Sequence, residues 1–166
     1  MPDTIVKIDI GAFSACENLK EFNIPDSVKE IGECAFGLCV NLEKFSGKYI
    51  SEDRLCIIID GVLNQFALGC GLEEYTIPND VREIGWSAFS DSELTKINLH
   101  ENIIKIGHSA FCGCQNLTHI NIPNSITTID DAAFQDCVAL KNIFIPKTAL
   151  KLGASLFNGC DDISVV

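Results

Sequence analysis

Nine cysteines and three histidines are the residues of this 166-residue chain best equipped for chemistry. A thiolate becomes a nucleophile when a histidine is brought beside it, and cysteine and histidine at matched spacing hold zinc. Five of the thiols, Cys16, Cys39, Cys114, Cys137 and Cys160, stand three residues after a phenylalanine, and Cys70 is displaced by one. Recurrence at one position reads as a column of small buried side chains, thiols acting as modest hydrophobes. Cys112-Gly113-Cys114 has no second cysteine pair or histidine pair at zinc spacing. His108, four residues before Cys112, takes a variable position expected to face solvent, and His119 is expected to point outward from a strand. There is no G-x-S-x-G, no phosphate-cradling glycine loop and no H-E-x-x-H. The acidic pairs Glu52-Asp53, Asp130-Asp131 and Asp161-Asp162 lack the ordered oxygen spacing of a calcium loop and read as solvated charges. No catalytic residue, metal or cofactor is therefore expected, and the chain is not expected to be an enzyme.

What positions these residues is a repeat. Phe13, Phe36, Phe66, Phe89, Phe111, Phe134 and Phe157 are separated by 23, 30, 23, 22, 23 and 23 residues. Other positions keep step: a leucine or isoleucine six residues on, as in Leu19, Leu42, Leu72 and Leu117, with Leu94 one residue early. Further on come Phe22, Phe45, Tyr75, Ile97, Ile120 and Ile143, then Ile24, Ile77, Leu99, Ile122 and Ile145. Proline usually follows, as at Pro25, Pro78, Pro123 and Pro146, with His100 the exception. The Leu-x-x-Ile-x-Ile segment ends on a period of two, which marks a short strand with alternate residues buried. Proline stops that strand because it has no N–H for the ladder. Val-x-x-Ile-Gly is a second short extended piece, its glycine easing a bend. The F-x-x-C-x-x-L stretch, with a spacing of three, suits a single helical or 3₁₀ turn. A 23-residue unit of this kind cannot bury its own apolar side, but stacked units cover one another. Coils about 5 Å apart would also permit an occasional disulfide between them.

The unit resembles the BspA-like, or Treponema pallidum-type, leucine-rich repeat. The resemblance is carried by Cys34-Ala35-Phe36-Gly37-Leu38-Cys39 with Asn41-Leu42, and by Asn121-Ile122-Pro123-Asn124-Ser125-Ile126 with Thr128-Ile129. The expected fold is a β-rich α/β solenoid, a right-handed leucine-rich-repeat superhelix of about seven 23-residue coils forming one domain over residues 1–166. The irregular coil, with seven extra residues between Phe36 and Phe66, holds an insertion over about 46–66. Asp60-Gly61 between two β-rich runs predicts a hairpin of Cys56–Ile59 and Val62–Phe66, entered by a polar loop at Ser51–Arg54. It is either a decorated coil or a protruding recognition element.

Net charge is −11, from 12 basic and 23 acidic residues, so the basic footprint needed for nucleic acid is missing. The longest apolar run, Leu55 to Ile59, is five residues, far short of the 18 or more of a membrane-spanning helix. The strand residues that alternate with the buried pair form two outward columns on a concave face. One is Glu21, Lys44, Glu74, Lys96, His119 and Asn142; the other is Asn23, Ser46, Thr76, Asn98, Asn121 and Phe144. These columns are either the polar exterior any strand needs or a ligand-binding surface. The candidates for ligand contact are Glu21, Asn23, Glu74, Thr76, Lys96, Asn98, His119, Asn121, Asn142 and Phe144. The resemblance implies a non-enzymatic module that binds protein, such as host extracellular matrix or another cell, from the cell surface or outside the cell. An intracellular, cytoplasmic interaction scaffold is the alternative, favoured by the many thiols and the absence of an export signal in the N-terminal residues. The uncapped first and last coils predict a fragment of a longer protein or end-to-end self-association.

Overall fold

The computed structural model describes residues 2–166. Fifteen short strands wind as a solenoid in which each coil contributes two strands and a turned corner. The first strands of the coils are β2 (Glu21–Ile24), β4 (Lys44–Gly47), β7 (Glu74–Thr76), β9 (Lys96–Asn98), β11 (His119–Asn121), β13 (Asn142–Ile143) and β15 (Ser164–Val165). The second strands are β1 (Lys7–Ile8), β3 (Glu30–Ile31), β6 (Val62–Phe66), β8 (Glu83–Ile84), β10 (Lys105–Ile106), β12 (Thr128–Ile129) and β14 (Lys151–Leu152). Every pairing between coils is parallel and in repeat register, as in Ile106 opposite Ile84 and Ile129. β5 (Cys56–Ile59) is the exception, an antiparallel partner to β6.

The hairpin occupies the expected residues. Asp60 (φ 51°) and Gly61 (φ 80°) both adopt the left-handed region, as a two-residue hairpin turn with the right twist requires.

The α/β description does not hold: among the described residues there is no helix, and the fold is an all-β solenoid. The F-x-x-C-x-x-L corners are successive tight turns, in which the Cys114 N–H donates to the Phe111 carbonyl (3.2 Å) and the Leu117 N–H to the Cys114 carbonyl (3.1 Å). A helix cannot propagate because the residue two after the anchor has positive φ. Ala15, Leu38, Asp91, Gly113, Asp136 and Gly159 all do, at 56° to 77°. The glycine after the second strand also has a different reason from the expected bend. A Cβ on Gly85 would lie 2.7 Å from the Leu63 carbonyl oxygen, and one on Gly107 2.7 Å from that of Ile84. Glycine suits these coils because the preceding coil passes close to the position, although Asp130 holds the same place in its coil and its N–H bonds the Ile106 carbonyl at 2.9 Å.

The phenylalanine anchors line the core. Phe66, Phe89, Phe111, Phe134 and Phe157 stack ring on ring at 4.8–5.8 Å. Phe13 and Phe36 form a separate stack at 5.3 Å, flanked edge-on by Phe22 and Phe45. The thiol column is also present and buried, apart from a half-buried Cys16. Its thiols donate to the anchor carbonyl of the coil before: Cys39 to Phe13 at 3.0 Å, and Cys114, Cys137 and Cys160 to Phe89, Phe111 and Phe134 at 3.1 Å.

The insertion divides this core in two. Ile57 and Ile59 of β5 pack into the N-terminal cluster, whereas Cys56 and Ile58 pack into the C-terminal one. β5 is thus a partition with both faces covered, which the uninterrupted apolar run Leu55–Ile59 makes affordable. Both strand ladders stop at the same place: β2–β4 does not continue to β7, and β1–β3 does not continue to β6.

Candidate binding face

The side chains of the two outward columns sit where strand alternation puts them. Glu21, Asn23, Glu74, Thr76, His119, Asn121, Asn142 and Phe144 are exposed, and Lys96 and Asn98 half-buried. The face is not uniform. Toward the N-terminus its groups are paired across coils. Lys44 Nζ reaches Glu21 at 2.5 Å, and the Ser46 hydroxyl donates to Asn23 Oδ1 at 3.1 Å. Lys44 beside it holds the Glu21 carboxyl below its ordinary range. Lys96 bonds Glu74 at 3.0 Å, and the Asn98 amide donates to the Thr76 hydroxyl at 3.2 Å. From β11 onward this pairing ends. The His119 ring makes only a 3.5 Å contact with its neighbour Thr118, no side-chain bond is made by Asn121 or Asn142, and Phe144 is 57% exposed.

The insertion rims the same face. The Tyr75 hydroxyl donates to Asp53 Oδ2 at 2.7 Å and lies 3.1 Å from Cys56 Sγ, tying the polar loop and β5 to the next coil. Burial, with Cys56 and Asp53 beside it, pushes the Tyr75 phenol up, and burial likewise pushes the Cys56 thiol up. Between this loop and the turn Thr76–Asp80 lies a cleft of about 720 Å³.

The thiols are not poised for nucleophilic chemistry. Burial raises Cys39 and Cys160, while the hydrogen bond of the Cys137 thiol to Cys114, followed by burial, raises Cys137, so all three stay protonated. The histidines are not brought to them. His100 replaces the proline of its coil by capping the turn: Nε2 bonds the Pro78 carbonyl at 2.9 Å, and Nδ1 accepts the Asn102 N–H at 3.2 Å. His108, expected to face solvent, is half-buried edge-on against the Trp86 ring at 5.0 Å. Among the described residues no group of three or more His, Cys, Asp or Glu converges on one point. The arrangement offers surfaces for contact. Sequence reasoning found the outward columns, but not the Tyr75–Asp53–Cys56 tie, which depends on how the insertion folds, or the Trp86–His108 pair, although these two follow Gly85 and Gly107 at one repeat position.

The profile of the BspA type leucine rich repeat region matches six times, over residues 1–52 and 63–165, leaving out the stretch that holds all of β5 and its turn. A search of curated proteins finds no match. Among solved structures, the pneumococcal vaccine antigen PcpA is 27% identical with a TM-score of 0.82, over 97% of this chain and 42% of that one. A leucine rich cell surface protein from Faecalibacterium prausnitzii is 26% identical with a TM-score of 0.84, over 99% of this chain and 45% of that one. The Treponema pallidum leucine rich repeat protein, 22% identical with a TM-score of 0.52 over 70% of this chain and 65% of that one, shares the fold. The chain spans less than half the length of the first two. With six matched copies laid over the observed coils, the chain belongs to the BspA-type leucine-rich repeat family.

Proposed function

We propose that this chain is a non-enzymatic protein-binding module of a bacterial surface or secreted protein. In this reading it engages its partner through the C-terminal part of the first-strand face. The observation that carries the reading is the change along that face. Glu21, Asn23, Glu74, Thr76, Lys96 and Asn98 spend their polar groups on each other or on adjacent coils. His119, Asn121 and Asn142 stay exposed without such bonds, beside the exposed ring of Phe144. Donors and acceptors already solvated, next to one large aromatic, are the composition of a contact patch with a central anchor. Support for the surface location comes from the two neighbours described as a vaccine antigen and a cell surface protein.

The test is capture by immobilised extracellular matrix proteins and glycans. Replacing His119, Asn121 and Phe144 together by alanine should abolish capture, while Glu74→Gln with Lys96→Gln should leave it. Capture indifferent to the triple replacement removes the patch from the reading. An intracellular scaffold is the second reading, supported by nine unpaired thiols. Labelling of intact cells with an antibody to the chain separates the two: signal on intact cells excludes the scaffold.

A further inference from the structure

We propose that the outer edge of β3 is a docking edge, which takes an extended segment of a partner protein as an added strand in the cleft between β3 and the β5–β6 hairpin. The second-strand ladder shows what that edge lacks. At the other internal rungs, two carbonyls two residues apart accept N–H bonds from the next coil. Val6 and Ile8 accept from Lys29 and Gly32 at 2.8 Å, and Arg82 and Ile84 accept from Ile104 and Gly107 at 2.8 Å. The equivalent carbonyls of β3 belong to Lys29 and Ile31, and among the described residues no donor reaches either. The strand that would have served them, β6, is paired with β5 instead.

An open edge alone invites any strand, but this one faces a built cleft of about 630 Å³. Ile10 and Ile31 lie on its near side, and Ile59 and Val62 on its far side, with charged residues of both signs, among them Lys29, Glu33 and Asp60, also in its lining. An extended peptide directs every second N–H to one edge, at a repeat of two residues, which is the spacing of the Lys29 and Ile31 carbonyls. Its side chains alternate, so one set would lie on the isoleucine and valine stripe while the other meets solvent. Strand addition of this kind draws affinity from the main chain and selectivity from the pockets for alternate side chains. The occupant is therefore an extended segment with apolar residues at every second position. This edge lies away from the patch around His119, and neither proposal depends on the other.

The test begins with phage-displayed random dodecapeptides selected on the folded chain, the enriched sequences then being synthesised and titrated by fluorescence anisotropy. The expected peptides alternate apolar residues and shift the amide resonances of residues 29–33 and 59–64. N-methylation of the residues whose N–H groups face β3 should weaken binding at least tenfold, and of the intervening residues less than threefold. Ile10→Glu should weaken binding at least fivefold without changing the melting temperature, because Ile10 is 69% exposed. The His119, Asn121 and Phe144 triple variant should bind these peptides unchanged. The proposal is overturned by failure to enrich any peptide, by resonance shifts confined to another surface, or by affinity indifferent to N-methylation. Sedimentation showing the cleft filled by a second copy of the chain would also overturn it.

Discussion

The two blocks on either side of β5 build the same repeat with different cores. The N-terminal block closes on four phenylalanines, Phe13 and Phe36 stacked face to face while Phe22 and Phe45 meet Phe36 edge-on. Beyond its first coil, where Tyr75 meets Phe66 at a tilt, the C-terminal block keeps one ring per coil, stacked in line, and fills the facing positions with Ile97, Ile120 and Ile143. The anchor rings stack in both blocks, Phe13 on Phe36 at 8° and the C-terminal pairs at 12–29°, so aromatic facing residues add edge contacts without disturbing the stack. The lesson is that the anchor position dictates the coil, whereas the facing strand position decides how the core is packed.

The sharpest way to break this comparison is at the partition. Ile57→Ala opens a cavity in the N-terminal cluster and should cost about 2–4 kcal/mol. Calorimetry should then show the N-terminal block melting before the other. Ile106→Ala, in mid-stack, should cost as much yet keep one transition, and equal behaviour of the two variants would deny β5 its dividing role. Next in size is Tyr75→Phe, which removes a hydroxyl bonded to the Asp53 carboxylate and touching Cys56. Urea denaturation should register a loss of about 1.5–3 kcal/mol, the range for a hydrogen bond to a charged group. Gln65 occupies the position held by Ala88 and Ala110 in the C-terminal block, is 3% exposed, and its Oε1 has no hydrogen-bond partner. Gln65→Met should therefore stabilise by about 1 kcal/mol, and a destabilised variant would show that the amide serves the partition.

Smaller effects refine the picture. Leu38 is exposed with φ 59°, at the position where the C-terminal block has Gly113 and Gly159. Leu38→Gly should relieve left-handed strain and raise the midpoint by about 0.5–1 kcal/mol. The smallest effect is the acid limb. Because Lys44 holds Glu21 below its unfolded value, the pair stabilises above the ordinary carboxylate range and that contribution fades as pH falls through the lowered value. Glu21→Gln should flatten this part of the stability–pH curve, and an unchanged curve would remove the pair from the account.

Much of this was legible beforehand, for reasons that differ by element. The columns follow from spacing, because burial at a fixed period leaves residue types as its trace. The hairpin follows from Asp60-Gly61, whose conformational demand is local. The corner between Phe111 and Leu117 misled because a spacing of three fits a helical turn as well as two tight turns. Only the left-handed φ two residues after the anchor separates them, and Ala15 and Leu38 do not advertise it by type. The partition was hidden in Cys56–Ile59, where every residue is apolar and nothing in the order tells which core each faces. The open edge of β3 was hidden as well, since it results from where β6 turns, dozens of residues away. On the candidate face, exposure could be read from alternation, but the loss of cross-coil bonds beyond Asn98 depends on distances between coils.

The seven extra residues between Phe36 and Phe66 leave the chain in phase. The Phe66 N–H meets the Ala88 carbonyl at 3.0 Å, as the Phe89 N–H meets that of Ala110 at 2.9 Å. An excursion that departs after the first strand and returns before the next anchor thus behaves like a parenthesis: whatever its length, the sentence resumes at the same word. Such a corner lets lineages of this architecture rewrite their exterior by insertion, while the columns on either side keep the grammar of the core.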